Sequence, residues 1–179
     1  WAIYLTEKHG DGIMKETLDE RGAVPGANPR EAFDAALQSL LGTTFLDEFV
    51  DFGTFDYFAG GRDDGQHYSE GAEYYTTTQE HRSLCYPQDL VTSDFPSGEL
   101  GANYVLLDGD GHSGPLTVYF YPEYLASSIL TVTRFKGATQ ARTTEFYPVF
   151  STPFDSIPIH DWSECDSVLL VYQISEGGS

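Results

Sequence analysis

Two groups of carboxylates in this chain have spacings that could hold a hard cation. Asp108-Gly-Asp110-Gly-His112 opens like a calcium loop, with two side-chain oxygens two positions apart and glycines that let the backbone turn around one ion. No acidic residue follows at the spacing an EF-hand requires, the next being Glu123. The same residues also carry the Asp-Gly chemistry of a hairpin turn between strands expected at 103–107 and 116–121, and that reading competes with the first. Asp63, Asp64, His67, Glu70 and Glu73 place five ligand-type side chains within eleven positions. Carboxylate oxygens suit calcium, and His67 beside a carboxylate would suit zinc, whereas a solvated acidic connector is the plainer account. No cofactor is required by these spacings; calcium is the candidate, with Asp63, Asp64, Asp108 and Asp110 as its candidate ligands.

Other chemistry lacks its constellation. There is no pair of histidines four apart around a glutamate and no Gly-x-Ser-x-Gly elbow, and neither cysteine sits in a basic neighbourhood. His9, His81 and His160 stand alone in the sequence and read as surface or internally satisfied residues. Acidic residues are so abundant that a glycosidase-like carboxylate pair could be drawn almost anywhere, which empties that signal of meaning. Cys85 and Cys165 lie 80 positions apart with no CxxC spacing. Paired, they would close a loop contributing about 4–5 kcal/mol in the chain-entropy model and would point to an oxidising compartment; two separate buried thiols are the alternative. No catalytic residue is assigned.

Charge narrows the partners. With 28 acidic against 9 basic residues the formal net charge is -19, and the only lysines are Lys8, Lys15 and Lys136. Such a chain repels phosphate backbones and anionic lipid, so nucleic acid is not an expected partner. Screening over roughly 8 Å at physiological salt tempers the self-repulsion and suits a saline or calcium-rich setting. No apolar run reaches the roughly 20 residues of a membrane helix, so membrane insertion is not expected either.

The elements that must position these residues fall into two halves. Trp1, Tyr4 and Leu5 share one helical face, and a second short helix carries Ile13, Met14 and Leu18 and ends near Gly22. Asn28-Pro29, with Glu31 at the capping-box position, starts a third helix whose stripe runs Phe33, Ala36, Leu37, Leu40, Leu41 and stops at Gly42. Thr44, with Asp47 three positions on, starts a fourth, so rich in Phe that it must be covered on several sides. Residues 62–101 read as a connector with one or two short strands at most. Val/Ile/Leu/Thr/Tyr-rich runs at 103–107, 116–121, 128–135, 143–150 and 167–174 read as strands separated by turns, one of them Ser156-Ile-Pro158. The predicted class is α+β: a helical lobe over 1–61, a connector over 62–101 and an antiparallel β-sandwich over 102–179. Tyr68, Tyr74, Tyr75, Tyr119, Tyr121, Tyr124 and Tyr147 could form an aromatic binding face, or simply the alternating residues of a sandwich surface.

The segment Trp1-Ala-Ile-Tyr-Leu-Thr-Glu-Lys-His-Gly-Asp-Gly-Ile-Met14, with Phe33-Asp-Ala-Ala-Leu37, Phe45 through Arg62 and Tyr68-Ser-Glu-Gly71, resembles the region that follows the zinc-binding helices in secreted bacterial zincin-like metalloproteases of the myxobacterial type. The resemblance covers roughly the first 75 residues and implies a helical lobe closing a protease-like domain, followed by a sandwich tail. The family's zinc motif occurs nowhere in this chain, so none of its catalytic residues carries over. The resemblance implies a non-catalytic C-terminal portion of a secreted or cell-surface protein, in which the upstream part of the same precursor, or another extracellular protein, is the partner. A structural subunit of an extracellular assembly, self-associating as a homo-oligomer, is the alternative.

Overall fold

Four helices followed by strands in two sheets make the chain α+β. The computed structural model describes residues 1–23, 26, 28–74, 80–83, 101–109, 114–120, 128–136, 143–149, 155–160 and 162–174. They divide into two compact units, Trp1–Thr77 and Thr78–Ser179.

In the first unit, α1 (Ala2–His9), α2 (Gly12–Ala23), α3 (Pro29–Leu41) and α4 (Phe45–Tyr57) surround one aromatic-rich core. The boundaries follow local chemistry. Asn28 caps α3 by accepting the Arg30 N–H at 3.0 Å, with Pro29 in the first turn where its missing N–H costs nothing. Gly42 ends α3 at φ 68°, a left-handed conformation that glycine adopts without a Cβ penalty. Thr44 and Asp47 form a reciprocal capping box at the start of α4. Asp34 of α3 also accepts the Phe45 N–H at 2.7 Å, fixing how α4 leaves the turn. The core contains Tyr4, Leu5, Ile13, Ala36, Leu37, Phe45 and Phe49, and the Trp1 ring lies 5.1–6.1 Å from those of Tyr4, Phe33, Phe45 and Phe52. Residues 62–74, expected to be connector, pack into this unit: Tyr68 is a core residue, and Tyr74 meets it edge-on at 5.3 Å.

In the second unit, a five-stranded sheet has the order β1 (Glu80–Ser83), β2 (Ala102–Asp108), β7 (Ser167–Ile174), β4 (Ser128–Phe135), β5 (Thr143–Val149). Among the described strands only the β1–β2 pair is parallel. A two-stranded sheet joins β3 (Leu116–Phe120) to β6 (Asp155–Ile159). Leu107, Leu130, Val132, Val168, Leu170 and Tyr172 from the large sheet and Ile157 and Ile159 from the small one share a core with Trp162. Leu169, Val171, Gln173, Thr131 and Thr133, on the opposite face of the large sheet, are equally buried. A strand covered on both faces has no solvent side to mark, which is why β7 reads Val-Leu-Leu-Val-Tyr without alternation.

Two expectations are corrected. The strands at 103–107 and 116–121 do not form a hairpin: β2 pairs with β7 from Ala102↔Gln173 to Asp108↔Ser167, and β3 pairs with β6. The intensely apolar β7 takes a neighbour on each side, so β2 and β3 enter different sheets. Ser156-Ile-Pro158 is strand, not turn: Ile157 and Ile159 face the core while Ser156 and Pro158 are exposed, and proline is tolerated in a strand at a sheet edge.

Gly109 follows β2 and donates its N–H to the Asp166 carbonyl at 2.8 Å; a Cβ there would sit 2.6 Å from the Cys165 carbonyl oxygen. Because backbone rather than a flexible side chain blocks the space, Gly109→Ala is expected to destabilise the β unit by about 1–3 kcal/mol, read as a lower denaturant midpoint.

Candidate functional site

The densest meeting of ionisable groups among the described residues lies between α1 and α4. On α1, Tyr4 and Lys8 are four positions apart and so share a face, with His9 adjoining; on α4, Glu48 and Asp51 are three apart and do the same. Glu48 Oε2 accepts three hydrogen bonds, from Tyr4 Oη at 2.6 Å, Lys8 Nζ at 2.9 Å and His9 Nε2 at 3.0 Å. Lys8 also donates to Asp51 Oδ2 at 2.7 Å and to Tyr4 Oη at 3.0 Å. The Glu48 side chain is 6% exposed, whereas Lys8 and Asp51 reach solvent.

The electrostatics follow from that placement. Burial pushes Glu48 upward, but hydrogen bonds from His9, Tyr4 and Lys8, with the Lys8 charge, outweigh it and hold its pKa below the ordinary value. Burial works downward on Lys8, and its bonds to Asp51 and Glu48 overcome that and raise it. Tyr4 is driven far up by burial and by the neighbouring carboxylates, so it stays a neutral donor. A lysine held protonated and a tyrosine held neutral offer neither a free amine nor a phenolate for nucleophilic or general-base work. The cluster joins α1 to α4.

A second pairing sits in the loop after α4. Asp64 Oδ1 lies 2.9 Å from His67 Nδ1, and the imidazole stacks on Phe58 at 4.3 Å and meets the edge of Phe55 at 4.7 Å. An aspartate orienting a histidine is the skeleton of an acid–base dyad, but here the ring is packed between two aromatics. Glu7 of α1 ties the same loop down by accepting the Ser69 hydroxyl at 2.6 Å.

Three of the four expected calcium ligands, Asp63, Asp64 and Asp108, are among the described residues. Asp63 accepts the Gly65 N–H and Asp64 the Gln66 N–H, each at 3.0 Å, so both carboxylates stabilise their own turns. Asp108 sits in the β2–β7 ladder opposite Ser167, and Asp110 lies outside the described residues. Among the described residues no group of three or more His, Cys, Asp or Glu is placed to hold a metal ion. Glu70 and Glu73 are exposed. Cys85 also lies outside the described residues, and with it the Cys85–Cys165 pairing. Of the tyrosines expected on a binding face, Tyr68 is core, Tyr74 is half-buried and Tyr119 is exposed; Tyr75, Tyr121 and Tyr124 and the Tyr147 side chain lie outside what is described. His9, which looked isolated, is satisfied by Glu48, and His160 is exposed. The α1–α4 cluster went unread in the sequence, where the i,i+4 and i,i+3 spacings were the one available signal.

No family model, curated protein or solved structure matches the chain.

Glu48→Gln removes the charge that three donors share, and hydrogen bonds to charged groups are each worth roughly 1.5–3 kcal/mol; a net loss of about 2 kcal/mol in unfolding free energy is expected. Because the folded pKa of Glu48 lies below its unfolded value near 4.5, its contribution is complete above that pH and disappears as pH falls through the folded pKa. Asp56, raised chiefly by burial against the pull of Arg62, acts in the opposite sense. Wild type and Glu48→Gln should therefore differ most at neutral pH and converge in acid, as urea titrations at a series of pH values would measure. Tyr4→Phe, which keeps the ring and deletes one donor, should cost about 1 kcal/mol and couple to Glu48→Gln in a double-mutant cycle.

Proposed function

We propose that this chain is a non-catalytic support and docking module, the C-terminal portion of a secreted zincin-like protease. The observation that carries the reading is the closure of the α1–α4 cluster. Tyr4, Lys8 and His9 direct their donors to Glu48 and Asp51, so the most chemically capable residues of the helical unit bind helix to helix. The likeness of the first 75 or so residues to the post-zinc region of such proteases gives the setting. The β unit is read as the accompanying sandwich, which the core shared between its two sheets supports.

Exposed apolar residues support the docking role. In α3 the apolar stripe is covered at Ala36 and Leu37, yet its next members, Leu40 and Leu41, are 49% and 43% exposed. Leu18 of α2 and Ile3 of α1 are exposed as well. The partner proposed is the upstream part of the same precursor or another extracellular protein. The same exposed leucines favour a second reading, a structural subunit whose copies associate through them, although a net charge of -19 opposes close packing of identical chains except in salt.

Three measurements test these readings, and the last separates them. The purified chain, supplied with zinc and a fluorogenic peptide library, should show no turnover; hydrolysis abolished by a chelator would overturn the non-catalytic reading. Leu40→Asp and Leu41→Asp should change stability by no more than about 0.5 kcal/mol, whereas Leu37→Ala should cost about 2–5 kcal/mol. Light scattering at low and high salt should report a monomer, and an oligomer dispersed by Leu40→Asp would transfer the conclusion to the assembly subunit.

A further inference from the structure

We draw no further inference here: the strongest candidate, the acidic patch of Glu7, Glu70 and Glu73 around Tyr74 at the surface of the helical unit, is a cluster of carboxylates with no second observation in the structure pointing to a cation or a basic partner.

Discussion

A carboxylate that is almost wholly buried must find donors or lose its charge, and Glu48 constrains the helical unit for that reason. All three of its donors come from α1. A helix of eight residues is too short to hold itself together in water, so α1 persists by fitting Tyr4 and Leu5 into the core and presenting Tyr4, Lys8 and His9 to a single oxygen. Aromatic packing adds to the attraction. Tyr4 meets Phe52 and Phe55 at 5.3 and 5.0 Å, and Trp1 joins the same cluster of rings. Packing alone leaves the rotation of a short helix poorly defined, whereas hydrogen bonds that converge on one atom allow little freedom.

The loop after α4 extends the same logic. Glu7 points from α1 toward Ser69, Tyr68 enters the core beside Phe55, and His67 lies flat on Phe58. Asp63 and Asp64 look like ligands in a list of residues, but they close the turns that let this segment fold back. A Cβ at Gly71 would run into the Asp63 side chain, which would have to swing aside to admit one. Acidic side chains here replace the backbone partners that an irregular segment lacks.

The parts of this architecture that could be read from sequence are those fixed by neighbours in the chain. The caps at Asn28 and Thr44 and the stop at Gly42 depend on residues within four positions; α3 begins and ends, and α4 begins, where those signals stand. Strands β4 and β7 match their apolar runs to the residue. By contrast β1 is Glu-His-Arg-Ser, which has no strand signal of its own and is extended because it pairs with β2. Strand β6 was hidden by Pro158, whose turn preference gives way at an edge position. The α1–α4 cluster required two helices some 40 positions apart to meet, and no spacing rule within either one foretells that encounter.

Strand β7 stands in the middle of the large sheet but is made after every strand it joins. On a ribosome the helical unit can close early around its aromatic core, whereas β2 and β4 emerge with their central neighbour still missing. Their apolar edges must wait through roughly 30–60 residues of further synthesis before Val168 through Ile174 arrive to join them. Pairs such as β4–β5 can form earlier, but the large sheet closes only when β7 arrives, and until then the chain's strong negative charge works against the waiting strands pairing with other chains.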